Sequence, residues 1–355
     1  MVGIVGMTMG RARVAASIAA LAVAAIGLAG CSKDSGSGAG DKPEVTLSLV
    51  AYSTPQAAYE ALIKAFQKTD AGKNVKFKQS YGASGDQSRA VAAGLKADIV
   101  AFSLEPDVTR LVTAGLVADD WNKNATNGFV TDSVAVIGVR KGNPKNLKTW
   151  DDLVQPGVEV LTPNPFTSGG ARWNILAGYG AKSNKGADQQ AGLDYLDKLI
   201  SNVPVQDSSG RASLQTFTGG KGDAFISYEN EAIFAQQHGQ AVDYTIPDST
   251  ILIENPIAVT KNSEHPTEAK AFLDFLFSAD GQKIYAQNGY RPTVQGVDTG
   301  GVNFPTPSGL FTIKDLGGWT DVTKKFFDTK TGLVTAIEQK HGVATVAASP
   351  SASAK

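Results

Sequence analysis

The chain has 355 residues, 42% of them hydrophobic and 19% charged; this is a globular composition, neither disordered nor that of a polytopic membrane protein. Its 33 basic and 34 acidic residues leave a net charge of −1, which argues against nucleic acid as a partner, because neutralising a phosphate backbone calls for a basic excess. One cysteine excludes an internal disulfide framework, and the three histidines, His238, His265 and His341, have no metal-ligand spacing, so no metal or other cofactor is expected.

Residues 1–30 hold Arg11 and Arg13 and no acid, and an apolar run from Val14 to Leu28 follows the arginines. A basic start, a short small-residue-rich apolar stretch and small residues before a cut make an export signal. The string Leu28–Ala29–Gly30–Cys31 resembles a bacterial lipobox, whose new N-terminal cysteine needs a free thiol for lipid attachment. The chain's sole cysteine, Cys31, stands at that position and is the expected lipid site, tying the protein to a membrane. Without residues 1–30, 31 basic groups face 34 acidic ones, a net of −3. Residues 31–44 read as a flexible tether, and 342–355 as a disordered tail without aromatics or helical periodicity.

Val45–Tyr52 (VTLSLVAY) is apolar and β-rich, as a buried strand is. Thr54 then suits an N-cap and Pro55 a first helical turn, with Tyr59, Leu62, Ile63 and Phe66 on one helical face. Val75–Ser80 is a strand, a helix starts near Gly85, Ala97–Phe102 is a strand, and Glu105–Ala114 is a helix closed by Gly115. A second alternation begins with the strand Val134–Arg140. It continues through the strand Val158–Leu161, a helix from Gly170 to Tyr179, a helix ending near Ser201, the strand Ala224–Tyr228 and a helix to His238. In Ile251–Val259 (ILIENPIAV) the proline Pro256 suits a crossing or edge segment. A helix with Ala269, Phe272, Leu273 and Leu276 on one face follows, then a further helix to Asn288. The pattern predicts an α/β fold of two lobes with a mostly parallel sheet, joined by two extended crossover strands as hinge. The first lobe is expected at 45–130 and 255–341, the second at 131–254.

Glycine- and serine-rich turns lie where strands lead into helices: Ser80–Ser88 (SYGASGDQS), Asn164–Arg172 (NPFTSGGAR) and Asp207–Arg211 (DSSGR), with Thr54 at a fourth helix start. Small residues let a ligand approach the backbone, and unpaired first-turn amides with the helix dipole favour an anion. Two such starts fall in each expected lobe, as an anion site in a cleft requires. Neither GxxxxGK[ST] nor a GxGxxG after the first strand is present, nor a GxSxG elbow.

The string Asn164–Pro165–Phe166–Thr167–Ser168–Gly169–Gly170–Ala171–Arg172–Trp173–Asn174 resembles the NPxTSGGARWN signature of the sulfate/thiosulfate-binding proteins of bacterial ABC importers. Gly82–Gln87, Ile226–Ala232, Tyr290–Pro292, Phe311–Ile313 and Gly317–Trp319 extend the likeness from about Val45 to His341. The resemblance implies a two-lobed type II periplasmic-binding-protein-like fold that closes on a dehydrated oxyanion. It further implies that the amides of Ser168, Gly169 and Gly170 bind the anion, with the Ser84 hydroxyl facing them. The amides of Thr54 and Gly210 match further donors, with Arg211 behind the latter as a supporting charge. Tyr228 stands where relatives commonly carry tryptophan, and Asp86 where a basic residue is frequent; Asp86 is expected to turn away, at the start of its helix.

The implied partners are sulfate or thiosulfate, a membrane-embedded ABC permease and, through Cys31, the membrane, the protein acting extracytoplasmically as a monomer without catalysis. Molybdate or phosphate as ligand, an exported enzyme acting on phospho- or sulfo-esters, and a surface adhesion or signalling receptor remain as alternatives.

Overall fold

The computed structural model describes residues 43–345. The expected export signal, the expected lipid site Cys31, most of the expected tether and residues 346–355 lie outside the described residues. The first lobe opens with β1 (Val45–Tyr52), α1 (Gln56–Phe66), β2 (Val75–Gly82), α2 (Ser84–Ala92), β3 (Ile99–Ala101) and α3 (Glu105–Thr113). The long strand β4 (Phe129–Arg140) leads to β5 (Val160–Leu161), α4 (Gly169–Lys182), α5 (Gln189–Ser201), α6 (Gly210–Thr218), β6 (Ala224–Tyr228), α7 (Glu229–Gln237) and β7 (Val242–Thr245). Then β8 (Leu252–Val259) returns the chain to α8 (Pro266–Phe277), α9 (Ala279–Gln287), β9 (Arg291–Pro292), α10 (Gly318–Phe327) and α11 (Leu333–Lys340).

The strands run in the order β2-β1-β3-β8-β4-β6-β5, with β7 and β9 also paired to β4. Only the pairs β1–β2, β1–β3 and β5–β6 are parallel. All pairings of β4 and β8 are antiparallel, which corrects the expectation of a mostly parallel sheet. Parallel pairs arise where a helix carries the chain back over its lobe; a strand that leaves one lobe for the other makes no such return. Residues 131–134 of β4 pair with 252–255 of β8, and beyond that stretch each strand joins a different lobe. Pro256 sits at the irregular end of this ladder, where β8 turns from β4 to β3.

Apolar clusters cover both faces of each lobe. In the first, Leu47, Leu49, Tyr59, Leu62, Phe66 and Phe272 fill one face, and Val50, Val100, Phe102, Val108 and Leu111 the other. In the second, Ile137, Val160, Trp173, Tyr179 and Leu196 form the larger cluster. That cluster also takes in Phe311, Trp319, Val322, Phe326 and Val334. Trp319 stands edge-on to Trp173 at 4.7 Å and Phe326 edge-on to Tyr179 at 4.8 Å, while Lys340 and His341 pair with Asp197 of α5. Helices α10 and α11 therefore pack on the second lobe, whereas the sequence reading ran the first lobe through 341; aromatic burial against α4 and α5 decides it.

The start of the expected tail is also held, since Asn164 Nδ2 donates to the Ala344 carbonyl at 2.9 Å and Gln339 bonds Thr345 at 3.0 Å. Among the described residues no helix is long and apolar enough to cross a membrane, and no group of three or more His, Cys, Asp or Glu is placed to hold a metal.

Candidate functional site

Between the lobes lies a cavity lined by Tyr52, Ser53, Thr54, Ala83, Ser84, Ser103, Pro163, Ser168, Gly170, Asn174, Ser209, Gly210, Ser227 and Tyr228. None of these residues is charged. About 10 Å³ is left for the centre of a water-sized sphere, room for a sphere of about 2.7 Å radius, which suits one small inorganic ion and no organic ester. The starts of α2, α4, α6 and α7 meet there, as does Thr54, two residues before α1. Each helix start brings amides without intrahelical acceptors and a partial positive charge of roughly half an electron.

The loop before α4 shows how the sequence builds such a start. Asn164 Oδ1 accepts the Phe166 amide at 2.8 Å, Pro165 fixes the turn, and Arg172 Nε braces it by donating to the Pro165 carbonyl at 2.9 Å. The Ser168 amide donates to the Asn164 carbonyl at 2.9 Å, so it is committed inside the loop and is not the anion donor the resemblance implied. Its hydroxyl oxygen caps α4 by accepting from the Ala171 amide at 3.3 Å, which leaves the hydroxyl proton for the cavity. Gly170 lines the wall. Gly169, the first residue of α4, turns its Cα toward the other lobe: a Cβ there would stand 2.7 Å from Ser103 Oγ and 2.8 Å from Leu104 Cγ.

Ser84 reaches the cavity, but its hydroxyl proton goes to Asp107 Oδ2 at 2.6 Å, and its oxygen accepts the Ser103 amide at 3.0 Å. The expectation of a Ser84 hydroxyl facing the anion as donor is corrected by that bond, since a serine has one proton to give. Thr54 is not the N-cap that its sequence position suggested, since α1 begins at Gln56 with no side-chain cap. Its hydroxyl meets that of Tyr290 at 3.4 Å instead. Gly210 lies against Thr54 from the opposite lobe, at 3.3 Å from Thr54 Cγ2 to the position of an added Cβ.

Arg211 points away from the cavity. It grips Glu231 through Nε and Nη2 at 3.0 and 2.8 Å, donates to the Thr54 carbonyl at 2.8 Å and lies over the Phe234 ring. Burial pushes the Glu231 carboxyl up, and Arg211 opposes that shift. Asp86 is not on the wall either: it pairs with Arg89, three residues on along α2. Tyr228, the residue preceding α7, is fully buried with its hydroxyl 2.6 Å from Ser103 Oγ. Burial raises the phenol far above its ordinary range.

The sequence reading missed Ser103, Asp107, Tyr52 and Asn174. Asn174 spends its amide on Thr162 and Ile226, leaving Oδ1 buried without a partner among the described residues, and the Tyr52 hydroxyl is likewise unpartnered. Tyr52 closes the first strand and Asn174 the recognised string, so their positions were in view, but nothing in the pattern distinguished them from core residues.

Residues 47–291 match the family of bacterial extracellular solute-binding proteins. The chain belongs to that family. It is 42% identical to a sulfate-binding protein of Synechococcus elongatus, over 88% of this chain and 92% of the relative. It is 38% identical to a sulfate-binding protein of Escherichia coli, over 80% and 90%. Among solved structures, the sulfate-binding protein SubI from Mycobacterium tuberculosis is similar at a TM-score of 0.78 and 46% identity, covering 80% of this chain and all of that one (100%). A two-lobed type II solute-binding fold is thereby shown, and the enclosed cavity lies where such a fold holds its solute, at the carboxyl ends of the strands.

Proposed function

We propose that the protein is an extracytoplasmic receptor for sulfate, with thiosulfate as the near alternative. It takes the anion between its lobes and delivers it to an ABC permease. The observation that carries the reading is the cavity itself, sized for one small ion and lined by helix starts and hydroxyls with no charged side chain. A fully ionised tetrahedral anion offers only acceptors, and such a wall offers mainly donors. The amides of Thr54, Gly169, Gly170 and Gly210 and the Ser168 hydroxyl are the donors in this reading. Sulfate- and thiosulfate-binding relatives support the same chemistry. The cavity leaves no room for the organic part of a phospho- or sulfo-ester, which disfavours the enzyme alternative.

In this account the first lobe is 45–130 with the chain from 255 through α9, and the second is 131–254 with α10 and α11. The receptor works as a monomer, held to the outer face of the membrane by lipid on Cys31. Calorimetric titration of ligand-free protein with sulfate, thiosulfate, molybdate and phosphate tests the assignment. Saturable one-to-one binding of sulfate or thiosulfate is expected; binding of molybdate or phosphate alone would overturn it.

A further inference from the structure

Ser103 lies between β3 and α3, 1% exposed, on the cavity wall. Its backbone is held from three directions. The Trp173 indole donates to its carbonyl at 2.8 Å, Asn255 Nδ2 donates to the same oxygen at 3.3 Å, and its own amide donates to Ser84 Oγ at 3.0 Å. The hydroxyl is what remains to be used. It meets the Tyr228 hydroxyl, from the opposite lobe, at 2.6 Å.

The pair stands directly against the loop that starts α4. A Cβ on Gly169 would come within 2.7 Å of Ser103 Oγ, and one on Gly170 within 3.5 Å of Tyr228 Cε1. Two hydroxyls bonded to each other use one proton between them and keep the other. A phenol is a stronger acid than an aliphatic hydroxyl, so the Tyr228 proton goes to the Ser103 oxygen and the serine proton is left spare. Burial keeps that phenol protonated through neutral pH.

We propose that the Ser103 hydroxyl donates to the bound oxyanion and that Tyr228 is the positioning residue that aims it from across the cleft. The proposal rests on the receptor reading above. It makes one ligand contact depend on closure, because Ser103 and Tyr228 belong to different lobes and meet only when these come together.

A double-mutant cycle on the full chain tests it, with sulfate as the titrant in calorimetry and melting curves without ligand as the check on folding. Ser103→Ala is expected to lose roughly tenfold or more in affinity, the scale of one hydrogen bond to a charged group. Tyr228→Phe loses less, and the double variant binds no more weakly than Ser103→Ala, because both changes act on one donor. Ser103→Cys, which keeps only a weak donor, replaces the alanine variant if that one does not fold. Sulfate affinity of Ser103→Ala within about twofold of the unmodified chain, or losses that multiply in the double variant, would overturn the inference while leaving the receptor reading intact. Failure of the unmodified chain to bind sulfate would overturn both.

Discussion

The Ser84 hydroxyl donates to one oxygen of the Asp107 carboxylate at 2.6 Å, while Arg110 holds the other at 2.9 Å. A hydroxyl so engaged supports the wall of the cavity and gives no proton to its contents. Ser84→Ala is therefore expected to keep sulfate affinity within roughly threefold and to lower folding stability by about 1–3 kcal/mol, since it strips partners from buried groups. Calorimetry and urea unfolding check this. A loss of a hundredfold in affinity would make Ser84 a ligand donor after all.

Gly169 and Ser103 belong to opposite lobes, and an added Cβ at 169 meets Ser103 Oγ at 2.7 Å and Ser103 Cβ at 2.9 Å. The clash lies across the cleft, between one lobe and the other. Gly169→Ala is expected to melt like the unmodified chain without ligand, yet to show little or no rise in melting temperature with saturating sulfate. An undiminished rise would mean that closure tolerates the methyl group.

Arg211 touches three groups: Glu231 and the Phe234 ring, both on α7, and the Thr54 carbonyl of the other lobe. Arg211→Met leaves Glu231 buried without its counter-charge, a change that costs about 3–5 kcal/mol. Adding Glu231→Gln is expected to restore most of the stability but not the sulfate affinity, because the hold on Thr54 stays lost. Equal recovery of both in unfolding and binding measurements would remove Arg211 from the site's support.

Asp132 on β4 stands opposite Glu254 on β8 and opposite Arg291 on β9, whose guanidinium is engaged by Glu229. Burial first, and Glu254 next, push the Asp132 carboxyl up to about 7 against the pull of Arg291. A carboxyl with a raised folded-state pKa holds its proton more tightly in the fold than in the unfolded chain. Its contribution to stability is therefore greatest at acid pH and falls as pH rises from about 4 to about 7. Asp132→Asn is expected to flatten that fall, gaining stability relative to the unmodified chain between pH 5 and pH 8. Parallel pH profiles in urea unfolding would contradict the assignment.

Much of the fold was legible because helices such as α8 present Ala269, Phe272 and Leu276 at helical spacing and strands such as β1 are continuously apolar. The first part of β4 was not, because Thr131, Asp132 and Ser133 look like loop residues; Thr131 and Ser133 are buried through bonds to Asn255 and Asn230, which no local pattern shows. The four glycine- and serine-rich helix starts were visible as a set of small residues at strand ends. Which atoms they offer was not. The Ser168 amide and the Ser84 proton are consumed by partners four and 23 residues away, and the Ser103–Tyr228 contact joins residues 125 apart in sequence. The first is set by the fold of its own loop, the second by the packing of α2 on α3, and only the third by the meeting of the two lobes.

The central claim is that the cavity selects a fully ionised oxyanion, and the most direct measurement compares sulfate with phosphate by calorimetry from pH 5 to pH 8. Sulfate carries no proton in this range, whereas both phosphate species carry one that needs an acceptor in a closed, dry site. No carboxylate lines the cavity, Asp86 being turned onto Arg89. A mismatch of this kind in a polar site costs several orders of magnitude in discrimination. Sulfate is expected to bind far more tightly than phosphate at every pH, with little proton uptake on binding. Phosphate binding equal to or tighter than sulfate would contradict the account and would make the unpartnered Asn174 Oδ1 the acceptor of its proton.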